Sequence, residues 1–264
     1  MTKPDRMVGD WTPDDLGLRY EDISFTTEDS VELEGWWMDR ESEKTLICLH
    51  GYTSSRWYEV YMRPLLDILK REDYNILYFD FRAHGESGGK RTTIGNKEYL
   101  DLKAAVDWLK NNHAEKSKKI AVIGYSMGAM VGLKGLALDD RIDCGIADSP
   151  PIDLDATSAR SMKYFAGMPS IFYYLTKPIG ILLFGIDTKS MYRYAEEIDK
   201  PLLLIGGKND PIVDVSEVRE FYEQNSMKNE QVEIWTTEGA HVRSVKKDIK
   251  RYKEKIINFL NNNM

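Results

Sequence analysis

The chain has 264 residues, of which 42% are hydrophobic, and a formal net charge of -7. This length suits one large α/β domain or two small ones. The hydrophobic fraction is high enough for a sizeable core, which argues against long disordered regions. The negative net charge argues against nucleic-acid binding, because that function relies on clustered Lys and Arg facing phosphates.

Cysteine content and apolar stretches bear on where the protein works. Cys48 and Cys144 lie in or beside apolar runs, so we expect two buried, reduced thiols rather than a disulfide framework. Residues 1–15 show no apolar core of a signal peptide. The most apolar long stretch, residues 168–186, contains Lys177 and two prolines, which disfavours a membrane span. We therefore expect a cytoplasmic protein without stable membrane insertion.

The predicted elements begin with β structure. Residues 18–27 and 31–40 alternate in part between apolar and polar side chains around a polar turn, which predicts an antiparallel pair. From residue 44 onward, short apolar runs typical of strands buried on both faces alternate with helical segments. The predicted buried strands lie within residues 45–51, 75–81, 119–126, 144–150, 201–210 and 231–237. The predicted helices span residues 56–70, 96–112, 127–138, 215–224 and 242–260.

This alternation indicates the fold class. It predicts an α/β fold with a mostly parallel central sheet, helices on both faces and the antiparallel N-terminal pair at one edge. One connection, rich in Tyr, Phe, Met and Leu, is too long to be a simple loop. We predict that residues 152–197 form an inserted helical lid, and that residues 1–151 and 198–264 form the core domain.

A G-x-S-x-G motif centred on Ser126 lies between a predicted strand and a predicted helix. In that context such a turn is strained, and it lifts the serine Oγ above the carboxyl edge of the sheet. Gly124 and Gly128 fit this geometry because a Cβ at either position would clash. The alternative is an ordinary surface turn from strand to helix.

A serine nucleophile needs a base, because its hydroxyl is a weak nucleophile at neutral pH. Of the four histidines, His50, His84 and His241 follow predicted strands, where the reactive groups of an open α/β sheet gather. His113 ends an amphipathic helix, which is an ordinary place for a solvated histidine. Composition alone leaves the choice among the first three open.

The base in turn needs a carboxylate to orient it. Asp80, Asp148 and Asp210 all lie at the ends of predicted strands. The chain order Ser126, Asp210, His241 matches the Ser, Asp, His order found in α/β-hydrolases. Asp148 stays open as a rival.

Four stretches, LHGYTSS, FDFRAHGESGG, GYSMGA and GGKNDPIV, followed by GAHVR, resemble the α/β-hydrolase superfamily. The resemblance covers residues 46–241 and is nearest to the esterase, lipase and serine-aminopeptidase-like branch. It implies the α/β-hydrolase fold, with Ser126 as nucleophile, His241 as general base and then general acid, and Asp210 as the orienting carboxylate. Asp148 remains the rival acid, since some members of the superfamily use that earlier strand end.

The resemblance also implies an oxyanion hole built from backbone N–H groups. Met127, directly after the nucleophile, would supply one N–H group. Tyr52, in the short loop after the strand that ends in LHG, would supply the other. His50 is then expected to be a structural hydrogen-bonding residue rather than a base.

The function that the resemblance implies is a serine hydrolase of the carboxylesterase or lipase type, acting through an acyl-enzyme. The aromatic and aliphatic side chains of the insertion favour small to medium hydrophobic acyl esters as substrates. An aminopeptidase, amidase or thioesterase of the same fold stays open, as does a non-enzymatic ligand-binding receptor. We expect no cofactor and no metal, because no H-E-x-x-H, paired-Cys or G-x-x-x-x-G-K-[ST] pattern occurs. The expected partner is a small-molecule ester, and the sequence leaves a monomer or a homodimer open.

Overall fold

A computed structural model of the protein describes residues 2–184 and 188–264. Residues 185–187 of the predicted insertion lie outside the described residues. In the described part, eight strands form one sheet. The strands are β1 Glu21–Thr26, β2 Glu32–Met38, β3 Lys44–Leu49, β4 Asn75–Phe79, β5 Lys119–Tyr125, β6 Cys144–Asp148, β7 Leu202–Gly207 and β8 Val232–Thr237.

The sheet is mostly parallel, as the sequence predicts. Its order is β1-β2-β4-β3-β5-β6-β7-β8, and the pairs from β4 to β8 run parallel. Strands β1 and β2 add to one edge in antiparallel fashion. Since parallel strands end at the same edge, the residues that follow β5, β6, β7 and β8 are brought close together.

Helices cover both faces of this sheet. They are α1 Met62–Leu69, α2 Glu98–Asn112, α3 Met127–Leu138, α4 Leu154–Ala166, α5 Ile171–Phe184, α6 Val215–Ser226, α7 Ser244–Lys247 and α8 Ile249–Asn263. One apolar core lies under α2, α3 and α6, and a second lies under α1 and α8. Cys48 and Cys144 are buried, free thiols in the second core, as predicted.

The predicted insertion contains α4 and α5, between β6 and β7. These two helices pack against each other, and Asp153 caps α4 by accepting a hydrogen bond from the Ala156 N–H group. The helical content of this region therefore agrees with the sequence. Its action as a lid stays a prediction.

Helix α1 begins at Met62, so the prediction of a helix from residue 56 is wrong. A helix that began at residue 56 would place Pro64 in its interior, where the ring would clash with a carbonyl of the preceding turn. In the structure Pro64 lies in the first turn, where proline is tolerated. Arg56 is instead buried, forms an ion pair with Asp80 and lies 3.8 Å from the centre of the Trp57 ring.

The C-terminal helix also differs from the prediction of one element over residues 242–260. A short helix, α7, ends before Asp248, whose backbone is extended at φ -154°. The Asp248 side chain accepts a hydrogen bond from the Arg251 N–H group and so starts α8 as a new helix. The apolar periodicity of the sequence continues across this break, but the Asp248 cap sets where α8 begins.

The two glycines of the G-x-S-x-G motif allow very close packing. A Cβ on Gly128 would lie 2.3 Å from the Leu49 carbonyl oxygen. A Cβ on Gly124 would lie 2.3 Å from the Gly128 carbonyl oxygen. The start of α3 can therefore lie directly on the ends of β3 and β5 only when both positions lack a side chain.

Gly128→Ala is expected to lower the free energy of unfolding by about 3 kcal/mol, because backbone must move to admit the new methyl group. Gly132→Ala, one turn later in α3, is a matched control. Its Cβ would lie 3.6 Å from the nearest atom of Val122, an ordinary contact. It is expected to gain up to about 1 kcal/mol from helix propensity. Urea unfolding measures both values, and an equal loss in the two variants would contradict the packing argument.

Candidate active site

Ser126 joins the end of β5 to the start of α3 with φ 52° and ψ -118°. A non-glycine residue held in such a conformation costs about 1–3 kcal/mol and persists only where its surroundings fix it. Here the Ser126 N–H group donates to the Asp148 carbonyl at 2.9 Å, and the Ser126 carbonyl accepts from the Met130 N–H group at 3.0 Å. The backbone on both sides of the turn is thus tied to β6 and to α3.

A continuous hydrogen-bonded chain links three side chains at the carboxyl edge of the sheet. His241, after β8, donates from Nδ1 to Asp210 Oδ2 at 2.7 Å, since a carboxylate only accepts. The other ring nitrogen, Nε2, then accepts from Ser126 Oγ at 2.9 Å. Asp210 Oδ1 accepts from the N–H groups of Ile212 and Val213 at 2.8 and 2.9 Å. The Asp210 side chain is only 1% exposed, so little water competes for its oxygens.

Asp148, the rival carboxylate, has other partners. It is fully buried and accepts from the Tyr252 hydroxyl at 2.8 Å and from Ser149 Oγ at 2.9 Å. Burial raises the pKa of its carboxyl group to about 6, although both hydrogen bonds oppose that shift. The structure therefore places Asp210, and not Asp148, against the His241 ring.

Ser149 is a member of the site that the sequence analysis missed. Its Oγ donates to Asp148 and accepts from the Val242 N–H group at 3.2 Å. Ser149 and Val242 both have positive φ, 55° and 49°. Asp148 and Ser149 thus anchor the strained backbone directly after His241. An Asp-Ser pair at the end of a buried strand was the only sequence signal for this contact.

The other strand-end histidines have structural contacts. His50 is fully buried, donates from Nδ1 to the Gly51 carbonyl at 2.8 Å and accepts at Nε2 from the Phe81 N–H group at 2.9 Å. Burial holds its pKa well below the usual value. His84 is also buried, and its Nδ1 donates to the Arg82 carbonyl at 2.9 Å. His50 thus makes hydrogen bonds of the structural kind that the sequence predicts for it.

A cavity of about 270 Å³ opens beside Ser126 and His241. Tyr52 and Met127, the two candidates for the oxyanion hole, both line it. Helix α4 contributes one wall, which includes Leu154. Among the described residues that line the cavity, none is Asp, Glu, Lys or Arg. The space next to the serine hydroxyl is therefore suited to uncharged groups.

A second, smaller cavity of about 60 Å³ lies under α5. It shares the side chains of Ile94, Leu154 and Ser158 with the main cavity. These residues form the partition between the two spaces.

Ile94 owes its place in this partition to the loop before α2. Its φ is 55°, and the N–H groups of Thr93 and Gly95 on either side both donate to the buried Glu98 carboxylate at 2.8 Å. The Thr92 and Thr93 hydroxyls also donate to Glu98, which makes four hydrogen bonds to one carboxylate. No sequence pattern indicated this wall, because it depends on those four bonds.

The insertion exposes much apolar surface. Phe165, which lines the main cavity, is 74% exposed, and Leu182 on α5 is 84% exposed. Within residues 2–184 and 188–264, no helix has the length and apolar content that crossing a bilayer requires. The same residues contain no group of three His, Cys, Asp or Glu side chains arranged to hold a metal ion.

Residues 44–185 match the family described as the alpha/beta hydrolase fold, and the chain belongs to that family. Among solved structures it is similar to the esterase Pf2001 of Pyrococcus furiosus, with 53% identity, a TM-score of 0.89 and 99% of each chain covered. It is 31% identical to the uncharacterized protein YqkD of Bacillus subtilis, over 84% of this chain and 72% of YqkD. Est1E of Butyrivibrio proteoclasticus shares the fold at 17% identity and a TM-score of 0.71, over 91% of this chain and 99% of Est1E.

The choice between the two carboxylates is testable through the reactivity of Ser126. Asp210→Asn is expected to slow fluorophosphonate labelling by at least ~100-fold, because the amide disturbs the imidazole tautomer and does not stabilise the imidazolium. Asp148→Asn is expected to slow it less than ~10-fold, because that side chain acts on the His241 loop through Ser149. Labelling rates are measured by mass spectrometry, with thermal melting to confirm folding. A larger loss in Asp148→Asn would reverse the assignment.

Proposed function

We propose that the protein is a serine hydrolase that cleaves carboxylic esters through an acyl-enzyme intermediate. The observation that carries this proposal is the hydrogen-bonded chain from Asp210 through His241 to Ser126, which opens on an uncharged cavity. The likeness to Pf2001, an esterase at 53% identity, supports the same reaction type.

In the proposed mechanism, Ser126 Oγ attacks the ester carbonyl carbon while His241 Nε2 takes the hydroxyl proton. The tetrahedral intermediate collapses, the bond to the alcohol oxygen breaks, and the imidazolium gives its proton to the leaving alcohol. Water then attacks the acyl-enzyme with the same histidine as base, releasing the acid and restoring the serine. Asp210 keeps Nδ1 protonated, so that Nε2 is the nitrogen that faces Ser126.

The oxyanion hole in this proposal consists of the N–H groups of Met127 and Tyr52. Met127 is the first residue of α3, and the first N–H groups of a helix have no partner within the helix. Tyr52 follows Gly51, which lies beside the nucleophile, because a Cβ on Gly51 would be in van der Waals contact with Ser126 Cβ at 3.4 Å. Both residues line the cavity beside the nucleophile. Each such donor is worth roughly 10²–10³ in kcat.

The cavity also favours a class of ester. Its walls include apolar side chains from Met130, Leu154 and Ile212. Its volume of about 270 Å³ is near the low end of ligand pockets, which span about 300–1,000 Å³. We infer a small to medium hydrophobic acyl group, with helices α4 and α5 of the insertion as the lid over it. An aminopeptidase is disfavoured, because the described lining holds no carboxylate for a substrate amine.

The proposal is tested with p-nitrophenyl esters of increasing acyl length, alongside an aminoacyl p-nitroanilide. We expect turnover on short and medium acyl chains, little on long chains, and none on the anilide, because the cavity is small and uncharged. Ser126→Ala should abolish turnover while the thermal melting curve stays near that of wild type. A wild-type protein that hydrolyses none of these esters would contradict the enzyme assignment and favour a ligand-binding role.

Leu154→Ala is expected to shift the acyl-length optimum toward longer chains. Leu154 is part of the partition between the two cavities, so its truncation joins them. The readout is kcat/KM across the ester series. Leu138→Ala removes the same atoms from a side chain that is 48% exposed on α3 and does not line either cavity, and it should keep the wild-type profile. An unchanged optimum in Leu154→Ala would rule out this partition as the limit on chain length.

A further inference from the structure

The loop of residues 51–54, which follows β3 and carries Tyr52, is held by one phenol group. The Gly51 N–H group donates to the Tyr61 hydroxyl oxygen at 2.9 Å. The same hydroxyl donates its proton to Ser54 Oγ at 2.9 Å. Both ends of the loop are therefore fastened to a single oxygen atom, with Tyr52 and Thr53 between them.

The backbone of this loop needs such a constraint. Thr53 has φ 56°, a left-handed conformation that a β-branched residue rarely adopts. A strained residue of this kind persists only when its surroundings hold it in place. The Tyr52 N–H group belongs to the peptide between Gly51 and Tyr52, so release of Gly51 from Tyr61, with relaxation of Thr53, would let that peptide turn.

Tyr61 itself is rigidly placed. It is 2% exposed, and its ring stacks on Tyr125 with 4.2 Å between the ring centres and 22° between the planes. Tyr125 is the residue before Ser126, so the Tyr61 ring packs against the strand end that carries the nucleophile, while its hydroxyl binds the loop. Burial raises the pKa of Tyr61 far above its usual value, which keeps the hydroxyl protonated and able both to donate and to accept.

We propose that Tyr61 is a positioning residue that holds the Tyr52 N–H group at the oxyanion site through its hydrogen bonds to Gly51 and Ser54. This inference rests on the proposed ester hydrolysis at Ser126. The Tyr61 phenol lines the same cavity as Ser126 and His241, but among the described residues its hydrogen bonds go to Gly51 and Ser54 and not to the nucleophile or the general base. It acts through the loop, on a donor whose geometry matters most when negative charge develops on the substrate oxygen.

Loss of the Tyr61 hydroxyl should therefore affect kcat and KM differently. A displaced oxyanion donor weakens the transition state more than the ground state, so kcat falls while KM changes little. Tyr61→Phe removes only the hydroxyl and leaves the ring on Tyr125. We expect kcat for p-nitrophenyl butyrate to fall by about 10–100-fold, which is less than the loss of a whole oxyanion donor.

The experiment compares Tyr61→Phe with a matched control, Tyr78→Phe. The Tyr78 hydroxyl is buried in the same apolar core and donates at 2.9 Å to the Met62 carbonyl, which is not part of the 51–54 loop. Each variant removes one buried phenol hydroxyl, which makes two hydrogen bonds at Tyr61 and one to Met62 at Tyr78. Both melting temperatures should therefore fall, and that of Tyr61→Phe should fall further. Measured quantities are kcat, KM and the inhibition constant of a trifluoromethyl ketone, which forms a tetrahedral oxyanion on the serine.

Support for the inference is a loss of kcat and a matching rise of the ketone inhibition constant in Tyr61→Phe alone, with KM within about twofold of wild type. Ser54→Ala, a second variant, should give a smaller loss of the same kind, because Tyr61 still accepts from Gly51. If the wild type is active but Tyr61→Phe has the same kcat and ketone inhibition constant as the wild type or as Tyr78→Phe, only the role of Tyr61 is overturned. A wild type without turnover would overturn the proposed function and this inference with it.

Discussion

The hydrogen bond from His241 Nδ1 to Asp210, 2.7 Å long, is the interaction on which the rest of the candidate site depends. With Nδ1 protonated, Nε2 is left as an acceptor for the Ser126 hydroxyl. The sheet makes this bond possible, because β7 and β8 are parallel neighbours and the residues after both leave at one edge. Two backbone N–H groups hold the other Asp210 oxygen, so the carboxylate has little freedom to turn away.

Around that bond, several strained backbone positions are held by tertiary contacts. Ser126, Ser149 and Val242 all have positive φ, as do Thr53 and Ile94 in the cavity wall. Each costs free energy that the contacts around it must offset. The buried Asp148 carboxyl secures the His241 loop through Ser149, and Glu98 secures the Ile94 loop. Hydrogen bonds therefore hold the backbone where chemistry is proposed, while apolar side chains of α5 such as Leu182 face solvent.

Much of this was predictable from local patterns. Buried apolar runs and helical periodicity indicated the parallel sheet, and the glycines of the motif indicated a tight turn at Ser126. Local pattern did not rank Asp148 and Asp210, because both residues follow strands, and only the family resemblance implied Asp210. Strand order explains which carboxylate reaches His241. Asp210 follows β7, which lies beside β8, whereas Asp148 ends β6, one strand further away. The contact from Tyr61 to Gly51 was equally hidden, since it depends on where α1 begins and how the ring packs.

The most direct test of the proposed nucleophile and oxyanion hole is a crystal structure of the protein after reaction with a fluorophosphonate. We expect phosphorus bonded to Ser126 Oγ, with one phosphoryl oxygen about 2.7–3.1 Å from the N–H groups of Tyr52 and Met127. The His241 ring should still pair with Asp210. Phosphorus on another residue would rule out Ser126 as the nucleophile, and a phosphoryl oxygen pointing away from both N–H groups would rule out the proposed oxyanion hole.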